Sequence, residues 1–129
     1  MPRWAVLAAA VILALHGLVH LMGAALYMKL ANVQGLTYKT TLLGGRWDLG
    51  EAGIAVFGAL WVIPAIGFLA GAAAFAAGWS WWYPVVATTT AFSLILTTLD
   101  WSQAFAGAIV DLAILAALVL SSLVYGLSA

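Results

Sequence analysis

Two histidines, His16 and His20, are the only ones in the chain, and both fall inside the apolar run from Trp4 to Met28. Four residues apart, they share one face of an α-helix and differ in height by ~6 Å. Imidazoles in a long apolar helix are costly unless they face partners, so this pair points to a site. The acidic residues that could meet them are Asp48, Glu51, Asp100 and Asp111. Three chemistries follow from such a set. His20 and Glu51 can act as a general acid–base pair on a lipophilic substrate, with Asp111 as the second carboxylate, His16 orienting and Asp100 nearby. Burial would keep one of the carboxyl groups in its acid form, ready to donate a proton. That chemistry isomerises a double bond, cyclises a polyene or opens an epoxide, and it needs no cofactor. Alternatively, His16, His20, Glu51 and Asp111 can form a shell for a divalent metal such as zinc or iron. The third reading is a proton or ion relay in a small transporter working as a homodimer. A haem ligated by both histidines is excluded, because two imidazoles on one face of one helix cannot oppose each other across an iron.

The elements that must position these residues are membrane spans. Of the 129 residues, 67% are hydrophobic and only 6% charged, against ~25% charged in soluble domains. A span needs about 20 apolar residues, so the chain holds four and little else. The expectation is an all-α, four-helix, up-down bundle forming a single transmembrane domain over residues 1–129. The spans are read at about 4–28, 49–77, 84–100 and 104–127, with one long loop at 29–48. The first is read as a retained helix rather than a cleaved signal peptide. Pro64 should kink the second span near its middle. The turn Gly78–Pro84, with Trp79, Trp81, Trp82 and Tyr83, anchors at the headgroup level. The third span is rich in hydroxyls, Thr88, Thr89, Thr90, Ser93, Thr97 and Thr98. These can bond back to their own helix but also give it an inward polar face. The long loop reads either as a surface excursion or as a segment whose Thr40–Gly45 part folds back over the helix ends.

Four Lys/Arg balance four Asp/Glu, which speaks against a nucleic-acid partner. No cysteine is present, so disulfides and thiol chemistry are excluded. The partners expected are the bilayer and a lipophilic small molecule. In an up-down bundle, the long loop and the 101–103 turn share one side of the membrane. His16, His20, Glu51, Asp100 and Asp111 would then all cluster in that half. Lys29, Lys39 and Arg46 on that side, against Arg3 on the other, turn the loop side and the site toward the cytoplasm.

The stretch Leu15-His16-Gly17-Leu18-Val19-His20-Leu21-Met22-Gly23 resembles the opening helix of a set of small bacterial four-helix membrane proteins. Trp101-Ser102-Gln103-Ala104-Phe105-Ala106-Gly107 resembles their third loop. The resemblance implies a four-helix fold in a bacterial inner membrane and assigns no chemistry. In that group an asparagine commonly stands at the position of Asp111 and an acidic residue at that of Gln103, so here an acid has moved deeper into the bundle. The combination of histidine and carboxylates in a membrane pocket is similar, as an analogy of site alone, to the membrane sterol isomerases. A structural subunit of a membrane complex is the reading that needs no chemistry. There, a histidine bonded to a carboxylate simply fastens two helices.

Overall fold

A computed structural model describes residues 1–125. It is all-α apart from one short hairpin: α1 (Arg3–Tyr27), β1 (Thr41–Leu42), β2 (Trp47–Asp48), α2 (Gly50–Leu60), α3 (Val62–Ala77), α4 (Trp82–Leu99) and α5 (Trp101–Tyr125). With α2 and α3 counted as one span, four helices are long and apolar enough to cross a membrane. The end of the expected fourth span, 126–127, lies outside the described residues.

Each boundary has a local cause. The Pro2 carbonyl receives the Ala5 and Val6 N–H groups and starts α1. The helix ends where Lys29 turns left-handed (φ 57°) and the Leu30 N–H closes on the Ala25 carbonyl at 2.8 Å. That left-handed terminus is usually glycine's place. In the second span Pro64 has no N–H for the Leu60 carbonyl, and its ring crowds that turn. The helix therefore breaks at Trp61, three residues before the proline, and the Trp61 N–H falls back on the Gly58 carbonyl at 3.1 Å. Gly78 (φ 77°) ends α3, with the Trp79 N–H on the Ala74 carbonyl at 2.9 Å. Helix α5 begins at Trp101, three residues earlier than expected, because the Asp100 carbonyl takes the Gln103 and Ala104 N–H groups at 3.0 and 2.8 Å.

In a bilayer there is little hydrophobic drive between helices, and small residues let backbones approach. A Cβ on Gly17 would stand 2.9 Å from Phe68 Cβ, and one on Gly71 2.5 Å from Val86 Cγ2. These glycines line the α1–α3 and α3–α4 seams. Helix α5 packs along α4 and makes no comparable seam with α1. Two apolar clusters fill the ends of the bundle. Tyr27, Leu42, Ile54, Phe57, Trp61 and Leu96 form one, and Leu13, Phe68, Val86 and Leu118 lead the other.

The long loop does fold back over the helix ends. Its hairpin pairs Thr41 with Asp48 and Leu42 with Trp47. Leu42 is buried in the first apolar cluster, and the Leu43 N–H caps the Leu99 carbonyl at 3.0 Å. Leu43 holds a left-handed conformation (φ 56°) to do so, which costs a non-glycine residue ~1–2 kcal/mol.

Candidate functional site

His16 and His20 face the bundle interior where the two apolar clusters meet. His16 packs edge-on against Phe68 with ring centroids 4.8 Å apart, and His20 lies 5.4 Å from the Trp61 ring. They also touch each other edge to face at 4.8 Å. From the end of α1, His20 lies about 10 Å deep and His16 about 16 Å. Asp111, ten residues into α5, reaches about 15 Å and so stands level with His16.

These groups form one hydrogen-bonded chain. His16 Nε2 meets Asp111 Oδ1 at 2.7 Å. The other oxygen, Asp111 Oδ2, meets Ser93 Oγ at 2.6 Å. Ser93 Oγ in turn meets His20 Nε2 at 2.6 Å, and His20 Nδ1 donates to the His16 carbonyl at 2.7 Å. Thr97 donates to the Ser93 carbonyl at 2.9 Å, with Asp111 Oδ2 3.4 Å away. Asp111 and Ser93 are fully buried, and His16, at 9% exposure, is the most accessible member. Three spans supply the chain, so it closes the bundle across the α1–α5 gap that backbone packing leaves open.

Two expected members stand elsewhere. Glu51 is not in the pocket: α2 starts only at Gly50, so Glu51 sits in its first turn at the rim. There it is 77% exposed and 3.3 Å from Lys29 Nζ. Asp100 forms a second, separate cluster at the loop end. It accepts from the Tyr27 hydroxyl and from Lys39 Nζ at 2.6 Å. The Lys39 ammonium also stands 5.5 Å from the Tyr27 ring centre. Gln103 donates to the Tyr27 hydroxyl at 2.8 Å and pairs with the Thr37 backbone through both its oxygen and its nitrogen. The expectation of a single His/carboxylate cluster is thus corrected to a central chain, a loop latch and a rim pair. Asp48 belongs to none of them. It accepts from the Gly50 N–H and the Thr40 hydroxyl, which hold its carboxyl below the usual carboxylate range.

The metal shell His16, His20, Glu51 and Asp111 does not assemble, since Glu51 is outside. Among the described residues no three such side chains converge as ligands. Ser93 and Thr97 are not among the site residues expected from the sequence. Their signal is the spacing of Thr90, Ser93 and Thr97, which repeats every three to four residues and puts all three on one buried face of α4.

An apolar groove of about 520 Å³ lies in the half of the bundle away from the long loop. Ile12, Leu13, Phe75, Val86, Ile114 and Leu118 line it. Its lining stops one helical turn short of the hydrogen-bonded chain: Ile12 and Leu13 precede His16, and Ile114 follows Asp111, by three to four residues. The sequence matches no family model, and comparison with characterised proteins and with solved structures finds nothing significantly similar.

Proposed function

We propose that this protein is a membrane-embedded acid–base enzyme acting on a lipophilic small molecule, of the isomerase or cyclase type. The observation that carries the reading is the pairing of two features: a buried chain of proton-holding groups and, one helical turn from it, an apolar groove between α1 and α5. Buried ionisable groups in a membrane are expensive and are kept where they serve a purpose. A groove lined by α1, α3, α4 and α5 where α1 and α5 stay apart admits a hydrocarbon from the bilayer. A substrate that reaches one turn beyond the groove's lining meets His16 and Asp111, which act as the proton-exchanging pair, with Ser93 and His20 behind them. Isomerisation delivers one proton to the substrate and removes one, so its balance needs no co-reactant. Glu51 has no part in it. In this reading the protein sits in a bacterial inner membrane with the loop side toward the cytoplasm, which the resemblance of the first helix and the basic residues of the loop favour.

The test is deuterium transfer. Protein purified into lipid nanodiscs is incubated in D2O, and its bound lipophiles are extracted and analysed by mass spectrometry. A specific lipophile carrying carbon-bound deuterium in the parent protein, and none in Asp111→Asn or His16→Gln, is the expected result. Equal labelling in all three, or extracts with bulk bilayer lipids alone, would overturn the assignment.

A further inference from the structure

The central chain fixes its own proton content, whether or not a substrate is bound. The His16 carbonyl can only accept, so His20 Nδ1 must carry a hydrogen. Three contacts then each need one hydrogen: His20 Nε2 to Ser93 Oγ, Ser93 Oγ to Asp111 Oδ2, and Asp111 Oδ1 to His16 Nε2. A neutral His16 supplies the last of these from Nε2. Ser93 has a single hydroxyl hydrogen for the other two. One further proton is therefore required, and it has only two places to sit. On Asp111 Oδ2, the carboxylic acid donates to Ser93, and Ser93 donates to a neutral His20. On His20 Nε2, the imidazolium donates to Ser93, and Ser93 donates to the Asp111 carboxylate. Both arrangements satisfy every bond, and both leave the cluster with no net charge. Without that proton the cluster would hold a bare anion and one missing hydrogen bond in a fully buried site, which is strongly unfavourable.

We propose that Ser93 is a proton bridge, and that the central cluster stores one mobile proton shared between Asp111 and His20. The transfer is a coupled pair of hops. The O–H bond of Asp111 Oδ2 breaks as a new O–H forms on Ser93 Oγ, while the original Ser93 hydrogen passes to His20 Nε2. The reverse restores the acid, and no oxidant, reductant or water enters the balance. The groups packed around the relay support confinement of that proton. Phe68 and Trp61 from the second span cover His20, and Thr97 and Thr90 on α4 spend their hydroxyls on backbone carbonyls. The Lys39–Asp100 pair has partners of its own at the loop end. Ser93 is thus a positioning and relay residue, distinct from the pair nearest the groove.

The experiment is nuclear magnetic resonance of the full chain in lipid bilayers, with nitrogen-15 in histidine and carbon-13 in aspartate. As temperature is varied at neutral pH, the His20 Nε2 and Asp111 carboxyl resonances should move together in opposite senses, one gaining proton character as the other loses it. In Ser93→Ala that correlation should vanish, and in Ser93→Thr, which keeps a hydroxyl, it should return. A neutral His20 beside an ionised Asp111 in the parent protein would overturn the relay. So would a fixed imidazolium–carboxylate pair that does not respond to temperature, or an unchanged correlation in Ser93→Ala. The parent spectrum decides even if the alanine variant does not fold. The relay can stand while the deuterium test fails, and the deuterium test can succeed while the relay fails.

Discussion

The bundle buries two aspartates, and it neutralises them by opposite means. Asp100, at the junction of α4 and α5, is met by a fixed cation: Lys39 reaches it from the loop at 2.6 Å while the Tyr27 hydroxyl takes its other oxygen. Asp111, at mid-bundle, meets only the His16 imidazole and the hydroxyls of Ser93 and Thr97. A lysine at an aspartate fixes the charge and leaves the proton inventory unchanged, so the Asp100 cluster is a fastening. Imidazole and hydroxyl can exchange the proton they share, so the Asp111 cluster can change state without losing a bond. Position follows from this difference. The ion pair sits at the helix ends, where a lysine can reach it from a loop, and the exchangeable set sits where no long cation could be placed cheaply.

Substitutions on each side of that contrast should differ in size of effect. The largest effect is expected from Asp100→Ala, which leaves Lys39 without its anion and frees the loop. Removing one partner of a buried pair costs ~3–5 kcal/mol. Because Lys39 retains some access to solvent, about 2–3 kcal/mol is expected in detergent or denaturant unfolding. Proteolysis within 28–49 should accelerate alongside. Gly17→Leu comes next: its Cβ would lie 2.9 Å from Phe68 Cβ and 3.1 Å from the Ala65 carbonyl oxygen, and overpacking of this kind costs ~1–3 kcal/mol. That variant separates α1 from α3 and should weaken both clusters together. Asp111→Asn keeps shape and hydrogen-bonding capacity, so its stability should fall by about 1 kcal/mol while deuterium transfer is lost. A fastening would show the reverse ratio of effects.

The rim should hardly respond. Glu51→Gln removes only an exposed contact to Lys29, and pairs of that kind contribute ~0–1 kcal/mol. Unfolding and deuterium transfer should both stay at the parent level, whereas a loss of transfer would return Glu51 to the pocket. The smallest effect concerns Asp48. Its carboxyl is held below the ordinary value of 3.8 in the folded loop, so its contribution is present above that pH and is lost as the pH falls through the lowered value. Amide exchange at Gly50 should therefore accelerate only below about pH 3.8, and Asp48→Ala should remove that step.

Much of this architecture was legible in the residues. Four spans follow from composition, and the inward face of His16 and His20 follows from their spacing. The proline-driven break in the second span was readable as well, although it falls at Trp61, where the missing bond to Leu60 takes effect. Depth in the bundle was harder to read, because it depends on where each helix starts. A helix starting at Trp101 rather than Ala104 carries Asp111 about one turn deeper, to the level of His16. Glu51 is different: α2 starts within one residue of the expected position, but its first turn stands at the rim, where Glu51 is exposed beside Lys29. Ser93 could be seen as polar but not as a bridge, because a serine that can satisfy itself on its own helix gives no sign that it does otherwise. Lys39 and Gln103 owe their roles to a loop path that no periodicity encodes.

The way the spans lie against one another has a consequence for biogenesis. Each principal seam joins spans that are consecutive in the chain, the first to the second, the second to the third and the third to the fourth. A span leaving the translocation machinery therefore finds its neighbour already in the bilayer and never waits for a later one. Two polar ties, His16 to Asp111 and Gln103 to Tyr27, link the first helix made to the last. Their closing must follow the arrival of the last span, and until then His16 stands without its acid.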